Sequence, residues 1–213
     1  MEDFLIISGY LFLAINLFLF SISFRKQNSK AYRVIVYYLL LTLIIQLLSA
    51  MIAYSNKTIN NGDNLFLSHF YFIGQFILLS LFYFHLLKMK ILKKTLLLIT
   101  LGVTFLLCYI FIDNHNIFFQ FSLTEIVACS LPIVLYSLFY FFESFGVENK
   151  KYLILNSGIF IYLLCSTLIF SSGNLINGIS NLLTAKMVWT INVSLYLVYQ
   201  TLIFIEWYKN FRK

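Results

Sequence analysis

Seven apolar runs follow one another along the chain, at about 4–24, 34–54, 65–87, 95–112, 123–142, 153–170 and 187–205, and the polar residues gather between them. At 1.5 Å rise per residue, an uncharged run of about 20 residues crosses the roughly 30 Å hydrocarbon core of a bilayer. The pattern therefore predicts an all-α integral membrane protein, a seven-transmembrane-helix bundle that makes a single transmembrane domain over residues 1–213. The first run follows Met-Glu-Asp, with no basic segment ahead of it and no small-residue cleavage site behind it. It is expected to stay as the first helix rather than leave as a signal peptide.

Composition excludes the soluble alternative. Apolar residues make up 61% of the chain and charged residues 11%, against about 25% charged in soluble domains. A mean hydropathy of +0.89 belongs to a surface that meets lipid, and membrane lipids are the first expected partners.

The placement of the charges orients the helices. After the first run come Arg25, Lys26, Lys30 and Arg33; after the third come Lys88, Lys90, Lys93 and Lys94. Lys150 and Lys151 follow the fifth, and Lys209, Arg212 and Lys213 follow the seventh. Only Lys57 and Lys186 fall in the other connections, a split of 13 to 2 that alternates with every helix. Basic residues accumulate in short cytoplasmic loops. The expectation is an N-terminus outside, a C-terminus in the cytoplasm, and a multi-pass protein of the cytoplasmic (inner) membrane. The same alternation accounts for the formal charge of +7 and removes nucleic acid as a partner, because the basic residues do not gather on one solvated reading face.

The loops are short, and the longest, Ser171 to Ala185, has turn composition. No soluble domain and no internal repeat is visible. Cys108, Cys129 and Cys165 lie within apolar runs at spacings of no metal or redox motif and read as packing residues. Pro132, in the fifth run, is read as a structural kink. Asn56-Lys57-Thr58 matches the glycosylation sequon, a short and common pattern that a bacterial protein would not use.

Polar side chains inside the apolar runs are the candidate functional residues, because an ionisable group at the centre of a membrane helix costs at least about 2.5 kcal/mol. Ser68 and His69 open the third helix, Glu125 the fifth and Lys186 the seventh, all toward the outer side. Gln75 lies seven residues after Ser68, on the same side of the helix two turns deeper. On the seventh helix Trp189, Asn192, Tyr196 and Tyr199 recur at three and four residues as one stripe, and on the fifth the Glu125 face continues through Cys129, Pro132 and Tyr136. If these faces meet, His69, Gln75, Glu125, Lys186, Trp189, Asn192 and Tyr196 form an outward-opening ligand-binding cup. Glu125 needs a partner, which His69 or Lys186 can supply. The plainer reading stands beside it: interfacial charges that snorkel, and Gln75 and Asn192 as interhelical hydrogen-bond glue of about 0.6 kcal/mol each. Toward the other side, Asn156 and Ser157 read as a cap or a partner contact, and Glu206 to Lys209 as an interfacial anchor.

Several chemistries are set aside. A retinal protein needs a lysine in the middle of its last helix, whereas Lys186 is at the mouth. His69, His85 and His115 are too dispersed for a metal centre. There is no G-x-S-x-G motif, no carboxylate pair within one run and no glycine-rich phosphate loop. No cofactor and no catalytic activity are expected.

In its short patterns the chain resembles a group of small bacterial seven-helix membrane proteins of about this length whose biochemical role is not established. The likeness rests on Ser68-His69-Phe70-Tyr71 and Ser80-Leu81-Phe82-Tyr83, on Asn156 to Tyr162, and on Trp189-Thr190-Ile191-Asn192. It covers about half of the chain, and the chain departs from the group at Gln75, where an acid is common. What the resemblance implies is a bundle without catalytic domains that works with a separate signalling protein. The first functional expectation is accordingly a sensory or signal-transducing subunit acting through a cytoplasmic or membrane partner, with association into homo-oligomers left open. The second is a transporter or channel subunit for a small solute or protons, along a route extended by Gln46, Ser49, Gln75, Asn156 and Gln200. The third is a scaffold subunit of a membrane complex.

Overall fold

Helices take all seven apolar runs in the computed structural model, which describes residues 2–59, 65–113, 122–147, 150–176 and 182–212. They are α1 (Glu2–Ser23), α2 (Lys30–Ile59), α3 (Phe66–Leu86), α4 (Lys90–Asp113), α5 (Leu123–Ser144), α6 (Leu153–Ile176) and α7 (Leu182–Asn210). Each contains a segment long and apolar enough to cross a membrane. Side chains are described for 4–54, 65–113, 122–147, 150–172 and 186–212; Lys57, the sequon at Asn56 and His115 lie outside these residues.

Several helices run past their apolar segments. α2 begins at Lys30 rather than Val34, and α7 extends on both sides, from Leu182 to Asn210. A charged residue does not interrupt the backbone hydrogen-bond ladder, so Arg33, Lys93 and Lys209 lie within helical turns. Pro132 sits inside α5, which continues through it to Ser144.

The helices do not pack in simple chain order. α1 lies between α2 and α7, α2 meets α3, α3 meets α5, α5 meets α6, and α6 meets α7, which makes a closed ring of six. α4 stands outside, against α3 and α5 alone among the described elements. Only 11% of its central segment is buried, compared with 56% for α5. It joins the ring through buried Leu96 and Leu107 and through hydrogen bonds: the Tyr136 hydroxyl of α5 meets Thr100 at 3.0 Å and the Leu96 carbonyl at 3.2 Å.

Two glycines set the closest helix approaches. A Cβ at Gly158 of α6 would lie 3.1 Å from the Tyr199 ring and 3.2 Å from the Leu202 Cβ on α7. One at Gly74 of α3 would lie 2.4 Å from a Leu41 methyl on α2. Small residues at such points bring backbones together where lipid supplies no hydrophobic drive for association.

Buried polar groups tie the ring at mid-depth. Asn16 of α1 donates to the Gln200 side chain of α7 at 2.9 Å and to its carbonyl at 2.8 Å. Asn156 of α6 accepts from the Tyr83 hydroxyl of α3 at 2.6 Å and donates to the Ser137 carbonyl of α5 at 3.3 Å. At the end that holds the C-terminus, Glu206 is fully buried. Its carboxylate accepts from the backbone N–H groups of Tyr152, Ile154 and Leu155 at 2.6, 3.1 and 3.3 Å. Glu206 is thus the N-terminal cap of α6, not part of an interfacial anchor. The first amides of a helix lack intrahelical acceptors, and a carboxylate satisfies both those donors and the positive end of the macrodipole. Tyr152 takes the left-handed conformation, φ 68°, which turns its N–H to Glu206 while its ring packs against Phe82 and Phe211. Burial pushes the Tyr152 phenol up to about 12. Glu143 of α5 does the same for α4, accepting from the N–H groups of Lys88 at 2.9 Å and Met89 at 2.7 Å.

Candidate functional site

The six ring helices separate at the end of the bundle that holds the N-terminus and leave a cavity of about 400 Å³, within the roughly 300–1,000 Å³ of small-molecule sites. All six line it and α4 does not. Side chains on one face of each helix reach it at three- and four-residue spacing: Leu5, Gly9 and Tyr10 from α1; Ile45, Gln46 and Ser49 from α2; Ser68, Tyr71, Phe72 and Gln75 from α3. α5 adds Ile126 and Ser130, α6 adds Tyr162, Ser166 and Phe170, and α7 adds Trp189, Asn192 and Tyr196.

The floor is aromatic. Tyr162 and Tyr199 stack with their planes 3° apart and centroids 5.1 Å apart, and Tyr196 meets the Tyr162 ring edge-on at 5.7 Å. Gly9 lets the Tyr196 ring lie against α1, since a Cβ there would be 3.2 Å from the ring. Gln46 donates to the Tyr196 hydroxyl at 2.9 Å, which fixes that ring from the α2 side. Below this layer come the Asn16–Gln200 and Tyr83–Asn156 ties, so the other half of the ring is filled by side chains bonded to one another.

On one wall Ser166 donates to the Asn192 side-chain oxygen at 2.8 Å, joining α6 to α7. Opposite, Gln75 is 5% exposed, lies on the cavity wall and makes no side-chain hydrogen bond to a described residue. It lies nine residues into α3, roughly 14 Å along the axis. Trp189, half exposed, stands at the rim. Among the described residues, no Asp, Glu, Lys, Arg or His lines the cavity.

Four of the seven sequence-derived site residues, Gln75, Trp189, Asn192 and Tyr196, are thus brought together. The other three do not line the cavity. Lys186 is exposed at the start of α7. His69 and Glu125 meet each other: His69 Nδ1 contacts the Glu125 carboxylate, and both side chains are about 2% exposed. They face away from the cavity toward α4, where Phe111 meets the His69 ring edge-on at 5.5 Å. Their neighbours Ser68 and Ile126 turn the opposite way into the cavity. Ser122 caps α5 by accepting the Glu125 N–H at 3.3 Å. The pair clasps the α3–α5 seam behind the cavity wall, and its local role is to satisfy two buried ionisable groups.

The route residues divide likewise. Gln46, Ser49 and Gln75 reach the cavity, whereas Asn156 and Gln200 are locked in interhelical hydrogen bonds below it. The contributions of α1 and α6 went unread in the sequence, although Tyr162, Ser166 and Phe170 recur at four residues and mark a face.

No protein family, curated protein or solved structure matches the chain. What helix length and hydropathy establish is a multi-pass, seven-helix membrane protein, for which lipid is the natural solvent.

Proposed function

We propose that this chain is a sensory or signal-transducing subunit of a bacterial inner membrane, whose cavity opens to the cell exterior and takes a small molecule. The observation that carries the reading is the 400 Å³ cavity built jointly by the six ring helices. Because every ring helix contributes to its wall, an occupant that draws Gln75, Asn192 and Tyr196 together shifts helices relative to one another, and the shift reaches the opposite face through rigid segments. The alternation of Lys and Arg supports a cytoplasmic location for that opposite face. A protein partner reads it there, since the loops that join the helices are short.

Transport draws on the same polar residues, but the tyrosine floor and the bonded amides beneath it favour a site that ends blind. The test is purification from native membranes with identification of whatever protein and small molecule accompany the chain, together with flux measurements on the chain alone in liposomes. A co-purifying signalling protein, lost or altered in function with Asn192→Ala while folding is kept, is the expected result. Solute or ion flux by the isolated chain would replace this reading with transport.

A further inference from the structure

The described residues of the cavity wall carry polar groups but no ionic ones. Among the described residues its hydrogen-bonding groups are amides, hydroxyls and an indole: Gln46, Gln75 and Asn192, the serines, the tyrosines and Trp189. An ion placed there would lose its water and find no countercharge, a cost of several kcal/mol for each unpaired charge. The carboxylate of Glu125 is engaged with His69 behind the wall. The remaining surface is apolar, from residues such as Leu5, Ile45, Phe72, Ile126, Leu163 and Phe170. An occupant must therefore cover a mainly hydrocarbon and aromatic surface and yet offer hydrogen bonds.

Gln75 locates those bonds. It is 5% exposed, reaches the cavity, and its side chain makes no hydrogen bond to a described residue. Buried amides left unpaired are costly, by about 1–3 kcal/mol, so a free amide facing a cavity is a point where a ligand gains. A primary amide presents two N–H donors and one carbonyl acceptor side by side. Its complement is a group that both donates and accepts, such as a hydroxyl or a carboxamide.

We infer that the cavity takes an uncharged amphiphile, an apolar chain or ring system ending in a hydroxyl or carboxamide, held by hydrogen bonds to Gln75. This rests on the cavity being the recognition site, as proposed above. The aliphatic part lies against the Leu, Ile and Phe side chains and the tyrosine rings, and the polar end sits deep rather than at the rim.

The experiment uses the full chain in lipid nanodiscs free of detergent, because alkyl glycoside detergents belong to the inferred ligand class. A dodecanol carrying a diazirine in its chain is photolysed with the protein, and the labelled residues are mapped by peptide mass spectrometry. Dodecanol, dodecanesulfonate and dodecyltrimethylammonium then compete for the label. The expected result is labelling of cavity-lining residues, with dodecanol competing at least ten-fold better than either ion. Gln75→Leu weakens that competition about five-fold, equivalent to roughly 1 kcal/mol. Gln75→Glu, which keeps the shape and adds a charge, shifts preference toward dodecyltrimethylammonium and guards against a misfolded Leu variant. Labelling of the cavity with the ions competing as well as the alcohol overturns the ligand class and leaves the site standing. An alcohol preference that ignores both substitutions overturns the role of Gln75. Label found only on lipid-facing surfaces such as α4 overturns both this inference and the reading on which it rests.

Discussion

Replacing Glu206 by alanine removes the cap of α6 from the far side of a helix–helix contact, and the cost follows from three distances. The carboxylate holds the N–H groups of Tyr152, Ile154 and Leu155 at 2.6, 3.1 and 3.3 Å, in a position with no exposure. Each buried donor left without an acceptor costs about 1–3 kcal/mol. Taking the low end, since water reaches the end of the bundle once the side chain is gone, three donors give about 3 kcal/mol. That exceeds the roughly 0.5–2 kcal/mol of a single N-cap residue. Glu206→Gln keeps one acceptor oxygen but gives up the charge that faces the helix dipole, itself about 0.3–1 kcal/mol, and should cost about half as much. The assay is reversible unfolding of the purified protein in mixed micelles by titration with a denaturing detergent, followed by circular dichroism and by the fluorescence of the adjacent Trp207. Asp113→Ala, at an exposed helix end, serves as the control and should fall within about 0.5 kcal/mol of the parent. If Glu206→Ala were as mild as that control, the capping argument would be wrong.

Three further outcomes are expected. Glu125→Ala, which leaves His69 buried without its carboxylate, should destabilise by about 3–5 kcal/mol, while the double replacement His69→Phe with Glu125→Leu should recover most of it; equal losses in single and double variants would show that the two do not act as a pair. Gly158→Ala forces a methyl to within 3.1 Å of Tyr199 and 3.2 Å of the Leu202 Cβ and should cost about 1–3 kcal/mol, whereas Gly102→Ala, with open space around it, should be neutral or slightly stabilising; the same unfolding titration separates them. A reporter fused after Lys213 should be active only in the cytoplasm, and periplasmic activity would reverse the orientation drawn from the basic residues.

The seven helices were legible because one property, length of apolar run against bilayer thickness, decides them. Their order around the ring was not. Lipid-facing and protein-facing positions are both apolar, so Phe105 at 74% exposed and Phe82 at 0% look alike in the sequence. The same blindness hid α1 and α6 from the site: Gly9, Tyr162 and Ser166 carry no charge and few polar atoms, and only the ring geometry brings them beside Tyr196 and Asn192. Gln75 and Asn192 could be read because an amide is rare enough in lipid to need a reason. The need of Glu125 for a partner could be read too, and His69 is that partner; the direction the pair faces depends on α4 and was beyond reach. Glu206 was misread because nearness to a helix end resembles exposure, and what distinguishes them is the neighbouring helix start that it caps.

The closed ring has a consequence for how the chain is made. Of these seven helices α1 is made before and α7 after all the others, yet they are neighbours, joined through Asn16 to Gln200 and through Ser23 to Trp207 and Phe211. The cap of α6 also comes from α7. Until the seventh helix is inserted, Asn16 has no amide to bond, α6 has bare N-terminal donors, and the cavity has an open side where Asn192 and Tyr196 belong. Docking of α7 therefore completes the wall, the cap and the ring together. Quality control that senses unsatisfied polar groups in lipid would find its signal in that interval and lose it when α7 docks.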